Sequence, residues 1–307
     1  MTGWSGLTRR AALALMALLA SGATSPALPL DRRRHLRDVV RWAIQYQAID
    51  IGAVSASELD LIVVDPSLDD AAGLFIAPED LDRLKRKPDG RRRLVLAYLP
   101  VGEADTKRWY WPENWRRTPP DWGGPENPAW PGARHVRFWH PAWREMLFEG
   151  NGSLLDHILD AGYDGAFLDR VDAYFDWRDE RATAQDDMID LIAALRQRLD
   201  AVRPDFILLS QNAEHLMVHR RYLDLIDGVN KESLLSGLAG ENRRNSDGDV
   251  AWSLHHLRLA QEAGVVIFAT EYATDPRLRT RLRAEIAGLG FKPFMGGRAL
   301  DRLPTDP

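Results

Sequence analysis

The sequence predicts a (β/α)8 TIM barrel with a long Trp-rich loop between its third and fourth strands, and three observations carry that reading. Eight short apolar runs recur along the 307 residues. Between most of them lie stretches with apolar residues at three- and four-residue spacing, the signature of amphipathic helices. Regular alternation of the two implies a parallel sheet, and eight units fit a closed barrel in a chain of about 250 residues or a little more. An open doubly wound sheet is the competing architecture. No GxGxxG or GxxxxGK[ST] follows any run, which removes its usual nucleotide signatures.

The strands are expected at 41–46 (RWAIQY), 59–65 (LDLIVVD), 93–99 (RLVLAYL), 165–169 (GAFLD), 206–212 (FILLSQN), 226–231 (IDGVNK), 265–272 (VVIFATEY) and, most weakly, 291–295 (FKPFM). Each is a run of the length and composition of a strand buried on both faces. Helices are expected at 78–86, 141–160, 182–202, 214–225, 251–263 and 275–287. Pro78 and Pro141 suit first helical turns, and Gly162 and Gly264 sit where helices should stop.

Residues 1–27 stand apart: Thr8-Arg9-Arg10, an uncharged run from Ala11 to Ala20, then small residues ending at Ser25-Pro26-Ala27. That order describes an export signal, too short to span a bilayer comfortably, with cleavage expected after Ala23 or Ala27. The paired arginines suit the twin-arginine route; an uncleaved membrane anchor is the competing reading. Residues 28–307 are expected to form one domain. Removing the signal takes away Arg9 and Arg10 but no acid, leaving the chain two charges more acidic than its formal −5. A mildly acidic protein argues against a duplex nucleic-acid partner and is compatible with a cationic substrate. With 45% hydrophobic and 28% charged residues the chain has the material for a large core, which excludes a disordered chain. The absence of cysteine excludes a disulfide framework, thiolate zinc sites and cysteine nucleophiles.

The interval 100–164 holds seven of the eleven tryptophans: Trp109, Trp111, Trp115, Trp122, Trp130, Trp139 and Trp143. Strand-to-helix loops of a barrel emerge on its catalytic face, so this insertion should overhang the active site. Some of these rings, Trp109 and Trp111 foremost, are expected to offer flat apolar platforms to a ring-bearing ligand, and about half to pack the loop on itself. Polar residues gather at the strands' C-terminal ends: Tyr46, Asp65, Tyr98 with Glu103, Asp169 with Asp172 and Tyr174, Gln211 with Asn212, Glu232, and Glu271 with Tyr272. Such convergence is what a barrel active site requires.

A pocket of carboxylates, amides and tyrosines without thiols suits glycosidic cleavage. One carboxylic acid protonates the leaving oxygen, and a second carboxylate acts as nucleophile or activates water. Asp169, ending the run Ala166-Phe167-Leu168, and Glu232, at the end of the sixth strand, are the favoured pair. Around Asp169, Asp164 should cap or turn at the strand's base, Asp172 is either a substrate contact or a helix cap, and Asp176 belongs to a solvated face. No metal or cofactor is expected. His215 and His219 share a helical face, but Glu214 precedes the first of them, so HExxH is absent; His255 and His256 cannot share one. No GxSxG occurs, which disfavours a nucleophile-elbow hydrolase.

Together and in order, YQAID (46–50), LAYLPVGEAD (96–105), RWYW (108–111), GYDGAFLDRVDAY (162–174), LLSQNAEHL (208–216) and NKES (230–233) resemble the glycoside hydrolase family 114 domain. The most specific part is GYDGAFLDRVDAY combined with AYLPVGEAD, and the resemblance covers essentially residues 28–307. It implies a barrel and endo-α-1,4-polygalactosaminidase activity with retention of anomeric configuration. It further implies that Asp169 is the nucleophile and Glu232 the acid/base. Arg170 and Lys231 stand beside that pair, and either one facing the pocket would disfavour a cationic chain. The expectation is thus an exported glycosidase cutting a galactosamine-containing exopolysaccharide. The alternatives are a carbohydrate-binding protein on the same scaffold and a glycosidase for another amino sugar or α-galactoside.

Overall fold

The computed structural model describes residues 31–69 and 72–303; the expected export signal lies outside the described residues. Eight parallel strands follow one another in chain order around a nearly closed barrel. They are β1 (Trp42–Gln45), β2 (Leu61–Val64), β3 (Leu94–Pro100), β4 (Gly165–Asp169), β5 (Ile207–Gln211), β6 (Gly228–Glu232), β7 (Val266–Glu271) and β8 (Lys292–Met295). All eight expected strands are present, with no end moved by more than two residues. The seam between β8 and β1 is held by a side chain. The Trp42 indole donates to Lys292 O at 3.1 Å, and its ring packs on Phe268 and Phe294 with centroids 4.9 and 5.3 Å away. Further up, Leu300 O accepts the N–H groups of Tyr46 and Gln47 at 2.9 and 3.2 Å, tying the segment after β8 to the end of β1.

An aspartate precedes each of β2, β4 and β6, and the three are wired alike. Asp60 N–H donates to Arg41 O and Asp60 O accepts from Leu94 N; Asp164 bridges Val95 O and Ile207 N; Asp227 bridges Leu208 O and Val266 N, all at 2.8–3.2 Å. Each carboxylate then takes backbone N–H from the preceding strand region: Val40 and Arg41 at 2.9 and 3.0 Å for Asp60, Val95 at 3.0 Å for Asp164, Leu208 at 2.8 Å for Asp227. Cations complete the sites, Lys87 at 2.6 Å on Asp60, Arg92 and Lys85 on Asp164, and Arg32 and Arg196 at 2.9 and 2.8 Å on Asp227. Asp164 is therefore a strand anchor, a stronger form of the turn role expected for it. After two of these aspartates comes a glycine with no room for more: a Cβ on Gly165 would stand 2.4 Å from Ile207 O, and one on Gly228 2.7 Å from the Leu209 side chain.

Two of the expected helices are divided. The stretch 141–160 divides into Pro141–Arg144, a wider turn at Glu145–Glu149, and Leu154–Ala161, because Gly150 and Gly152 interrupt it. The stretch 214–225 divides into Glu214–Val218 and Arg220–Leu225. Arg32–Arg37 and Ile51–Ser55 are added, each capped by an aspartate, Asp31 or Asp50, and each too short to show a helical period. Pro78 and Pro141 start helices, and Gly162 ends one in the left-handed conformation. No helix among the described residues is long and apolar enough to cross a membrane.

The insertion after β3 carries a three-stranded antiparallel sheet, with Ala133–Val136 between Glu103–Asp105 and Gly123–Glu126. Trp111, Trp115, Trp122 and Trp143 form one contiguous cluster with centroids 5.0–5.6 Å apart, and the Trp143 indole donates to Val101 O at 2.9 Å. The insertion is thereby folded on a tryptophan core of its own. Asp227→Ala leaves the Arg196 guanidinium, 4% exposed, without its buried carboxylate partner and with only the half-exposed Asp200, 3.6 Å away. It is expected to lower stability by about 3–5 kcal/mol in urea denaturation, and Asp227→Asn, which keeps the acceptor for Leu208 N–H, by less. Equal losses would show that the charge contributes nothing.

Candidate active site

The strands' C-terminal ends open into a cleft of about 770 Å³. Three of these ends share a backbone device: the residue after the last strand position is non-glycine with positive φ. Arg170 follows Asp169 at φ 59°, Asn212 follows Gln211 at 51°, and Ser233 follows Glu232 at 53°. Left-handed geometry at such residues is uncommon and costs energy. It turns the chain sharply, leaving Asp169, Gln211 and Glu232 at the rim of the cleft.

Asp169 accepts a hydrogen bond from the Tyr98 hydroxyl at 2.6 Å. Glu232 accepts one from the Tyr272 hydroxyl and one from Gln211 Nε2 at 3.3 Å, while its backbone N–H donates to Asn212 Oδ1 at 3.0 Å. Tyr46 packs against Tyr98 with centroids 4.3 Å apart, and its buried hydroxyl has no hydrogen-bond partner among the described residues. Burial first, then the charges of Asp169 and Glu232 among others, hold the Tyr46 phenol well above its ordinary range; Tyr98 and Tyr272 are raised the same way. These three are neutral hydroxyls at working pH. Burial also pushes the Asp169 carboxyl up to about 6, with Asp172 and Glu232 adding to the rise and the Tyr98 hydroxyl and Arg170 N–H opposing it. Asp172 is raised by burial as well, against the pull of Arg170.

Of the residues expected from sequence, Tyr46, Asp65, Tyr98, Glu103, Asp169, Asp172, Gln211, Asn212, Glu232 and Tyr272 line this cleft. Four stand elsewhere. Glu271 faces the other way because side chains alternate along a strand; fully buried, it accepts from Leu235 N and Ser236 N at 2.7 and 3.1 Å and holds the loop after β6. Tyr174 is carried into the interior by the turn that starts at Arg170. Trp111 belongs to the insertion's own core. Trp109 packs beside Phe75 and His157, 6.1 and 5.0 Å between centroids. Among the seven insertion tryptophans only Trp130, 55% exposed, lines the cleft.

Sequence reasoning raised Arg170 and Lys231 but missed Lys107, Arg108 and Arg298. Arg108 grips Asp65 with two donors, one at 2.9 Å, so Asp65 is largely occupied. Arg170 does line the cleft, but it lies among Glu103, Asp172 and Asp176; Asp176, read as solvent-facing, is one of its partners and also meets His135 at 2.9 Å. Lys231 is outside the lining and pairs with Glu214 at 2.8 Å. Lys107 and Arg298 also line the cleft. No group of three or more His, Asp or Glu side chains suited to a metal ion occurs among the described residues.

This geometry can be set beside known proteins. The family model for glycoside-hydrolase family GH114 matches residues 22–303. The chain belongs to that family. As a GH114 member it is a glycoside hydrolase. An uncharacterised protein of Deinococcus radiodurans is 31% identical over 283 residues, 91% of this chain and 87% of that one. A second, from Thermotoga maritima, is 33% identical over 244 residues, 76% of this chain and 71% of that one. In fold the chain is similar to the glycoside hydrolase domain of PelA from Pseudomonas aeruginosa, with a TM-score of 0.65, 23% identity, and coverage of 86% of this chain and 97% of that domain. It is also similar to Ega3 of Aspergillus fumigatus, solved in complex with galactosamine, with a TM-score of 0.60, 16% identity, and coverage of 86% and 94%.

A carboxyl raised by burial carries a stability cost whenever it is ionised. For Asp169 the cost is present above about pH 6 and fades toward the unfolded value of about 4. Asp169→Asn is therefore expected to be the more stable protein at neutral pH, by on the order of 2 kcal/mol, in thermal unfolding. That advantage should vanish by about pH 4; one that persists there would trace to packing rather than charge.

Proposed function

We propose that this GH114 hydrolase cleaves internal α-1,4 links of a galactosamine-containing polysaccharide with retention, Asp169 as nucleophile and Glu232 as acid/base. The observation that carries the reading is the cleft itself. Two carboxylates, at the ends of β4 and β6, open into one space, each held by a tyrosine hydroxyl, with Tyr46 in the field of both. In the first step the ionised Asp169 forms a bond to the anomeric carbon while Glu232 gives its proton to the departing glycosidic oxygen. In the second, Glu232 takes a proton from water, whose oxygen displaces Asp169. Tyr98 steadies the attacking carboxylate, and Tyr46 has a donor to spare for a substrate oxygen. Galactosamine as the repeating unit is supported by the likeness to Ega3, which was solved with that sugar. Action outside the cytoplasm, on an exopolysaccharide, is supported by the charged, apolar, small-residue order of 1–27.

Incubation of purified protein with partly deacetylated α-1,4-polygalactosamine should release reducing ends whose anomeric configuration, followed by NMR at early times, matches that of the bond cut. Inverted product would remove the nucleophile role from Asp169. Glu232→Gln is expected to lower kcat by about 10²–10⁴-fold on substrates with poor leaving groups, and by much less where the leaving group needs no proton. In the wild type, kcat/KM should fall as pH drops through about 6, the value to which Asp169 is raised, because the attacking carboxylate must be ionised. A profile flat across that range would count against the two-carboxylate mechanism.

A further inference from the structure

Six of the seven insertion tryptophans pack on another ring, the nearest centroid 5.0–5.4 Å away. Trp130 packs on none among the described residues, stands 55% exposed and lines the cleft. A single exposed apolar side chain is ordinary on a protein surface, but the turn beneath this one is closely held. Trp130 N–H donates to Asn127 O at 3.1 Å, and Trp130 O accepts from Ala133 N–H at 2.9 Å. Asn127 Oδ1 accepts Ala129 N–H at 3.0 Å, and Gly132 N–H donates to Glu126 Oε1 at 2.8 Å. Backbone ordered in advance lowers the cost of binding through the side chain it presents.

The turn is also tied to the reacting end of the cleft. Asn127 Nδ2 donates to Glu103 Oε2 at 2.8 Å, that oxygen lies 3.5 Å from Arg170 Nε, and Arg170 follows Asp169 in the chain. Val101 N–H donates to Asp169 O at 2.9 Å, and the strand Glu103–Asp105 leads on from there, with Glu103 opposite His135 and Asp105 opposite Ala133. Trp130 thus stands past the far end of that strand from Asp169. A sugar unit on its face is a neighbour along the chain of the unit being cut. Charge does not set this platform against an amino sugar. Of the six carboxylates lining the cleft, Asp65 is held by Arg108, Glu103 and Asp172 by Arg170, and Asp169 and Glu232 by tyrosine hydroxyls. The sixth, Asp105, accepts Lys107 N–H at 2.8 Å. Both flank the turn, since a Cβ on Gly132 would stand 3.1 Å from Lys107 Cε and 3.7 Å from Asp105 Oδ1. One charge of each sign therefore borders the indole, while Arg298 lies over the Tyr272 ring. The indole face packs on the apolar face of a pyranose and is also attractive to an ammonium group.

We propose that Trp130 is a specificity-determining residue that reads chain length: its face carries a sugar unit of the polysaccharide remote from the bond being cut, so that long chains are selected over short oligomers. The proposal rests on the galactosamine-polymer reading above and extends it along the cleft. The test is kcat/KM on defined α-1,4-galactosamine oligomers of one acetylation state and increasing length. In the wild type it should climb with length and level off once the chain spans from Asp169 and Glu232 to Trp130. Trp130→Ala should lower it on the longest oligomers by about three- to tenfold, through KM with kcat little changed, and leave the shortest cleaved oligomer as it was. Trp130→Phe should retain most of the advantage of length. In an Asp169→Asn background, Trp130→Ala should weaken the Kd of the longest oligomer by the same factor. A tryptophan that only braced its hairpin would, when removed, lower the thermal midpoint and slow every length alike, which would overturn the assignment. So would an active wild type with no length dependence, or one whose dependence persists in Trp130→Ala. A wild type that cuts no length overturns the polygalactosamine reading and this proposal with it.

Discussion

The pairing of a backbone-binding aspartate with one or two cations at the foot of β2, β4 and β6 is the interaction on which the barrel rests. Asp60, Asp164 and Asp227 each stitch three strand regions together through their own N–H and C=O, then add a carboxylate that takes N–H from the preceding strand region. Barrel ends leave backbone groups without ladder partners, and buried groups of that kind are costly. Three carboxylates on a common pattern satisfy them. The cations, Lys87, Lys85 with Arg92, and Arg32 with Arg196, make the charge of each carboxylate tolerable away from water. The pattern stops at β8, where Phe291 stands in the corresponding place and the seam is held by Trp42 instead.

Fixing the foot of the sheet fixes what appears at its mouth. With Leu96 beside Gly165, the register brings Pro100 beside Asp169, and with Gly228 beside Val266 it brings Glu232 beside Thr270. A slip of one residue on β4 or β6 would turn every side chain to the opposite face and carry one carboxylate out of the cleft. The bulk restrictions at Gly165 and Gly228 resist such slips, since a neighbouring residue with a Cβ does not fit against Ile207 O or Leu209. At the mouth, the left-handed residues Arg170, Asn212 and Ser233 absorb the strain of turning out of a strand within one step. The insertion is braced to the same spot. A Cβ on Gly102 would stand 2.4 Å from Arg170 O, so the insertion's base runs against the turn that follows Asp169.

The eight strands are legible in the sequence because burial on both faces makes each an apolar run, and Asp169 and Glu232 are legible because they end two of those runs. Side-chain alternation was enough in principle to separate Glu271 from Tyr272: adjacent residues of one strand face opposite ways, and only Tyr272 reaches the cleft. The tryptophans are a different matter. Their density announces an insertion but is silent on whether it packs on itself, and here three rings meet edge to face and a fourth, Trp143, packs tilted against them in a core that supports the hairpin bearing Trp130. The direction of the cleft's cations was illegible for a related reason. Arg108, Arg170 and Arg298 follow strands β3, β4 and β8 in loops, where direction depends on turn geometry that no periodicity records.

Strand β4 shows how one residue type is given two jobs. Asp164 and Asp169 lie at opposite ends of the same short run. Asp164 meets Lys85, Arg92 and a backbone N–H, so its charge is fully partnered and contributes to holding the sheet together. Asp169 meets a tyrosine hydroxyl, has carboxylates for neighbours, and is pushed up to about 6. Nothing in the chemistry of aspartate distinguishes them; the distribution of cations does. Lysines and arginines crowd the foot of the barrel, while at the mouth Arg108 and Arg170 are bound to carboxylates other than Asp169. A carboxylate left poorly compensated in a buried place is a more reactive base and nucleophile than one in an ion pair. The stability that the foot supplies is what allows the mouth to keep such a group.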